Sequence, residues 1–415
     1  MLGKLTSTEN KKRLLANFAS LVVLRGAQFL IPLISLPYLV RTIGLENFGL
    51  INFSLSLGLY FGAIIQFGFG ITATREIARH RDDPIKLTKI YSVTLTASLI
   101  LATVSAALFA FIVLFFEKFN GYLDLYFFTL AFIIFQSLFP IWFFQGIEKM
   151  KYITLLSLAS NALFLISLFI FVKQPSDFVF VPLLHAIAAF LTFSLAIGLI
   201  YKKFKVKFIP PHWQEIKASY RDGCHAFISQ LAPSLYNNSA VFLLGLFANN
   251  TLVGFYSAAT KVIDAAISFA YVLSNTFLPY FSRDLGQHRF FQKIMLGSGL
   301  LLTLAAIIFS DWIVGVLFGL DNMQAANYIK WLAVCILLVF VSVTYGTNYL
   351  MLIGRDKVVK NIVLFTSIIF FAAAVVIIPL WGIWGAIVTL VGARFVISAL
   401  QYAFYVKYRN SGYNA

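Results

Sequence analysis

Charge is what this chain has least of, and acidic charge is the scarcer kind. Only 12% of its 415 residues are Asp, Glu, Lys or Arg, against roughly 25% in a soluble domain. That shortage excludes an ordinary water-soluble fold. Cysteine is nearly absent: Cys224 and Cys335 form no C-x-x-C and have no histidine at ligand spacing, so neither a disulfide framework nor a metal site is expected. No G-x-x-x-x-G-K-[ST] occurs, which excludes an ATP-driven motor on this chain. No acid pair or Ser/His/Asp set is placed for catalysis and no large extramembrane domain exists. The expectation is a protein that is not an enzyme and carries no cofactor.

What is present is apolar sequence in long runs, 60% hydrophobic and 17% aromatic overall. A bilayer crossing takes about 20 residues as a helix. The runs read as twelve spans, at about 14–40, 47–70, 87–116, 122–146, 152–172, 178–201, 220–248, 252–281, 292–316, 325–353, 359–379 and 382–406. The polar opening MLGKLTSTENKKR precedes an apolar run too long for a signal-peptide core, so the first helix is expected to stay. The net charge of +16 would point to nucleic acid in a soluble protein. Here the bases fall between apolar runs, and no nucleic acid partner is expected. With the N-terminus inside, the inside segments hold 25 of the 32 Lys and Arg. Only Arg41, Lys118, Lys173 and Lys330 fall outside, and Arg25, Lys261 and Arg394 lie within spans. Under the positive-inside rule this places both termini in the cytoplasm.

The longest hydrophilic connection, 202–219, contains Pro210 and Pro211, which stop a helix. It reads as a cytoplasmic linker between a lobe at 1–201 and a lobe at 220–415, with basic residues in reach of anionic lipid. The halves echo each other. Thr74-Arg75-Glu76-Ile77 matches Ser282-Arg283-Asp284-Leu285, and Gly146-Ile147-Glu148-Lys149 matches Gly354-Arg355-Asp356-Lys357, both 208 residues apart. A looser match sets Asn47-Phe48-Gly49-Leu50 against Leu252-Val253-Gly254-Phe255. Six spans per half is an even number, so the expected fold class is an all-α polytopic membrane protein of two six-helix lobes in parallel repeat. Secondary transporters built this way hold substrate at the repeat interface.

A charge at mid-membrane costs roughly 2.5–3.5 kcal/mol on insertion scales and marks function by default. Arg25 sits mid-run, with Gln28 and Pro32 on the same helical face. Lys261 and Asp264 are three apart on one helix and can pair. Either they form a neutral internal pair, or Lys261 binds an anionic part of a substrate while Asp264 tunes it or takes up a proton. Arg394 shares a face with Ser398 and Gln401, either lining a cavity or tying down the last helix. Asn237 and Asn238, just beyond Pro233, are candidate cavity liners, since amides both donate to and accept from sugar hydroxyls. His185 and His225 are candidates for titration near neutral pH.

The run Pro37-Tyr38-Leu39-Val40-Arg41-Thr42-Ile43-Gly44, then Glu46-Asn47-Phe48-Gly49, resembles the opening of bacterial O-antigen flippases of the Wzx/RfbX type. So do Phe67-Gly68-Phe69-Gly70 with Thr72-Ala73-Thr74, and Pro140-Ile141-Trp142-Phe143-Phe144-Gln145-Gly146 with Glu148-Lys149-Met150. The likeness covers the whole chain and is sharpest in the first 150 residues. It implies the multidrug/oligosaccharidyl-lipid/polysaccharide exporter superfamily, whose central cavity is lined chiefly by helices one, two, seven and eight. The implied substrate is an undecaprenyl-pyrophosphate-linked oligosaccharide, moved between leaflets of the bacterial inner membrane. O-antigen polymerase and chain-length regulator are implied partners. Arg25 and Lys261 fall where the family's basic cavity residues are wanted; Arg394 lies outside those four helices. A multidrug cation exporter of the same superfamily would want acids in its cavity, and only Asp264 is available. An O-antigen polymerase would want a sizeable outside loop bearing arginines, and Arg41 stands there alone.

Overall fold

The computed structural model describes residues 8–281 and 288–409; the side chains at 8–30, 32, 33, 229, 232–237, 276–281 and 289 lie outside that description. Every regular element among the described residues is helical. The helices are α1 (Thr8–Gln66), α2 (Phe69–His80), α3 (Pro84–Phe115), α4 (Leu123–Leu138), α5 (Ile141–Gly146), α6 (Met150–Phe171), α7 (Phe180–Lys202) and α8 (Trp213–Phe247). Then come α9 (Asn250–Phe281), α10 (His288–Ile308), α11 (Ser310–Phe318), α12 (Gln324–Leu332), α13 (Val334–Ser342), α14 (Asp356–Trp381) and α15 (Ile383–Tyr408). α13 runs on into a π-helical stretch, Val343–Leu350.

Ten stretches of described residues are long and apolar enough to cross a membrane, making this a multi-pass membrane protein. The first and seventh expected spans fall on α1 and α8, where many side chains lie outside the description.

The breaks follow local chemistry. α1 bends at Gly44, whose φ of 79° favours a residue without Cβ. Asp83 caps α3, its Oδ1 accepting from the Ile85 and Lys86 N–H groups at 3.1 Å each. Residues 203–212 form no helix, and α8 resumes just after the two prolines.

The contacts sort the chain into two units, Met1–Ile31 with Leu57–Leu231, and Pro32–Ser56 with Ala232–Ala415. The connection at 202–219 lies wholly inside the first unit. It is a strap laid on that unit: Val206 and Ile216 enter its core, the Ile209 N–H donates to Ser92 Oγ at 3.0 Å, and Tyr220 donates to the Ala97 carbonyl at 2.9 Å. The core beneath is aromatic. Phe143 and Phe144 are fully buried, with Tyr91, Trp142, Tyr152 and Phe204 set edge-on or tilted around them.

In the second unit, backbone approach replaces ring packing at one crossing. A Cβ built on Gly49 would fall 1.8 Å from the Asn250 carbonyl oxygen, and one on Gly254 would fall 2.1 Å from that of Leu45. The contact is reciprocal, each glycine meeting the carbonyl four residues before the other. These are the same two glycines aligned by the sequence match. In lipid, helices associate through such close packing rather than through a hydrophobic drive.

Candidate functional site

The polar interior of the second unit gathers on α9, α13 and α15. Among the described residues one ion pair at mid-span joins Asp264 Oδ1 to an Arg394 guanidinium nitrogen at 3.4 Å. The Arg394 side chain is 12% exposed and that of Asp264 61%. The local pair with Lys261 that the spacing allows is not the one formed: the Asp264 carboxylate turns to Arg394 on α15. The reason lies in burial. Arg394, its side chain only 12% exposed, is held inside the unit and needs a counter-charge. Among the described residues Lys261 makes no hydrogen bond or ion pair, though it stays within electrostatic reach of Asp264.

Two residues that pattern reading passed over complete the cluster. Tyr256 is 1% exposed, and its hydroxyl has no hydrogen-bond partner among the described residues. It lies within electrostatic reach of both Arg394 and Asp264. Buried Cys335 on α13 sits in hydrogen-bond reach of Arg394. Tyrosine and cysteine on apolar helices look like core, and no spacing in the sequence sets either apart. The net arrangement is rich in donors and poor in acceptors: an ammonium, a guanidinium and a phenol against one carboxylate. In chemistry such a set suits an anion better than a cation.

Below Arg394 the polar face of α15 is spent on structure. Ser398 Oγ donates to the Leu338 carbonyl at 2.7 Å. Ser342 Oγ donates to Gln401 Oε1 at 2.6 Å. A Cβ on Gly346 would land 2.6 Å from the Gln401 amide, so the π-helical stretch closes on that side chain. Further along, Gln292 Nε2 donates to the Tyr405 hydroxyl at 2.9 Å and to His288 Nδ1 at 2.8 Å, while His288 Nε2 meets the Thr344 carbonyl at 3.2 Å. His288 precedes its membrane span, and burial pushes its pKa down to about 4. The ring is neutral at pH 7, with the proton on Nε2.

The remaining candidates scatter. Arg25, Gln28 and Asn237 have side chains outside the described residues. Asn238 is half-buried on α8. His185 lies stacked on Phe164, ring centroids 3.4 Å apart, with Phe132 on its other side, a packing role in the first unit. His225 is exposed on α8.

The chain is a polytopic helical membrane protein with a cationic cluster in its second unit. A polysaccharide biosynthesis protein family model matches residues 14–285. The chain belongs to that family. It is 26% identical over 406 residues to a protein of Escherichia coli K12 described as a candidate O-antigen transporter, covering 95% of this chain and 97% of the relative. A second such protein, of Shigella dysenteriae, is 25% identical over 389 residues, covering 92% and 97%. Among solved structures, the lipid II flippase MurJ in an inward closed conformation superposes with a TM-score of 0.73 at 14% identity, over 93% of this chain and 87% of that one. An inward-facing multidrug resistance MATE family transporter of the MOP superfamily gives 0.70 at 16% identity, over 93% and 96%. The fold is shared with both.

Proposed function

We propose that this protein is a flippase that moves an undecaprenyl-pyrophosphate-linked O-antigen repeat unit from the cytoplasmic to the periplasmic leaflet of the inner membrane. The observation that carries the reading is the donor-rich cluster of Tyr256, Lys261 and Arg394 with a single acid, Asp264. A bare pyrophosphate cannot enter hydrocarbon, because an unpaired charge there costs too much. Cations inside the transporter offset that desolvation, and the lipid tail need not leave the bilayer. The names of the Escherichia coli and Shigella relatives support the same substrate class. Lys261 and Arg394 meet the pyrophosphate, Arg25 adds a cation from α1, and Asn238 with Asn237 and Gln28 serves the sugars.

Twelve spans, N-in and C-in, in two six-helix lobes complete the proposal. Its support is the positive-inside bias and the reciprocal contact of Gly49 with Gly254. The repeat makes rocking of one half against the other the mode of alternating access. O-antigen polymerase and chain-length regulator are the proposed downstream partners. The acid-poor cluster argues against a multidrug cation as substrate.

The test is reconstitution in proteoliposomes with the lipid-linked oligosaccharide, reading its exposure to a membrane-impermeant glycosidase. Transfer by wild type, and a more than ten-fold loss in Arg25→Ala and Lys261→Ala at matched folded protein, is expected. Protein that moves an organic cation but no lipid-linked sugar would overturn the reading.

A further inference from the structure

The end of the first unit where α6 starts and α7 ends carries a second group of cations, independent of the mid-span cluster. Its centre is Tyr152, a buried ring on the first turn of α6. Lys151 Nζ lies 5.4 Å from the ring centroid and Lys203 Nζ 5.2 Å. Lys203 and Lys149 are also within electrostatic reach of the Tyr152 hydroxyl. All three lysines are exposed.

The described acids of the unit's neighbouring segments are engaged with other bases. Glu148 pairs with Arg81 at 2.7 Å, Glu215 with Lys89, Asp83 with Lys86, and Glu76 with Arg75 and Arg79. The first turn of α6 holds no acid. Among the described residues Lys149, Lys151 and Lys203 therefore have no counter-ion. Mutual repulsion should splay three flexible ammoniums apart, but here Tyr152 gathers two of them on its π-face.

Depth and surroundings identify the anion. The corner sits where two membrane spans end, which is the level of lipid phosphates. The strap leaving Lys203 exposes Phe208 and Ile209, and Trp213 follows at the start of α8. Exposed aromatic and aliphatic residues beside lysines suit the headgroup boundary and have no use in open water. We propose that Lys149, Lys151 and Lys203, organised by Tyr152, bind the phosphate of an anionic phospholipid headgroup.

The experiment is a lipid titration of the purified full chain in neutral detergent, followed by native mass spectrometry with phosphatidylglycerol and, separately, phosphatidylcholine. Wild type should retain phosphatidylglycerol more tightly than phosphatidylcholine. Each lysine changed to Gln should cost about five-fold in that preference, so the triple variant Lys149→Gln/Lys151→Gln/Lys203→Gln should lose about a hundred-fold. Lys118→Gln/Lys173→Gln/Lys330→Gln removes the same charge elsewhere and should keep the preference. Tyr152→Phe keeps the ring and should lose little, whereas Tyr152→Leu should lose more. An unchanged preference in the site triple, or an equal loss in the control triple, would overturn the proposal. So would release of bound phosphatidylglycerol by excess inorganic phosphate, which would show a site for the free anion.

Discussion

The centre of the first unit is a set of rings, Tyr91, Trp142, Phe143, Phe144 and Phe204, in contact with one another. The centre of the second holds Tyr256, Asp264, Cys335, Arg394, Ser398 and Gln401. Both fill a helical interior in lipid, where burial itself drives little association. Rings achieve it by shape and dispersion. Polar groups achieve it only when partnered, and the second unit leaves Lys261 and the Tyr256 hydroxyl without described partners. The difference lies in charge: the ring core carries none, while the second unit holds Lys261, Asp264 and Arg394 within its spans, and charge at that depth is where function is to be sought.

The comparison breaks most severely at the glycine crossing. Gly49→Leu should abolish assembly of the second unit, because backbone atoms of α9 occupy the space. Even Gly49→Ala should lower the thermal midpoint sharply, whereas Gly297→Ala, with nothing within 4 Å of its Cβ, should raise stability by about 0.5–1 kcal/mol through helix propensity. Next is the aromatic core. Phe143→Ala should cost about 3–5 kcal/mol, the usual range for a buried ring, while exposed Trp331→Ala should cost little by the same unfolding measurement.

Lys261→Gln sharpens the contrast from the other side. It should cost far less stability than Phe143→Ala, because no described hydrogen bond or ion pair is lost, while flipping falls more than ten-fold. A stability loss as large as that of Phe143→Ala would make Lys261 part of the packing.

The smallest effect concerns His288. Its folded pKa of about 4 lies below the ordinary 6.5. Between those values the unfolded chain binds the proton and the folded one does not, so stability declines as pH drops from about 6.5 toward 4. His288→Phe should flatten that slope in thermal unfolding followed across pH; an unchanged slope would assign it to other groups.

Much of this was legible in the sequence. Apolar runs announce spans because a bilayer demands about 20 such residues each, and Lys261, Asp264 and Arg394 stand out because charge there is expensive. The choice of partner was not legible. The i,i+3 spacing of Lys261 and Asp264 favours a local pair, while the residue that takes the carboxylate lies 130 positions away on another helix. Tyr256 and Cys335 were invisible for the opposite reason, since their apolar bulk matches the pattern of a core. The 202–219 segment reads as a linker by polarity, and what polarity does not show is that Val206 and Ile216, apolar residues between charged ones, enter the core of the first unit. The match of Gly49 with Gly254 hinted at duplication, but nothing in it said that the two would touch.

The most direct test measures binding of the lipid-linked pyrophosphate to purified protein carrying Lys261→Gln or Asp264→Asn. The two changes remove charges of opposite sign from one cluster. If the cluster holds the pyrophosphate, Lys261→Gln should weaken binding about ten-fold or more, and Asp264→Asn should tighten it by freeing Arg394 from a competing carboxylate. Equal affinity in both variants and wild type would contradict the account, and the pyrophosphate would have to be sought elsewhere in the protein.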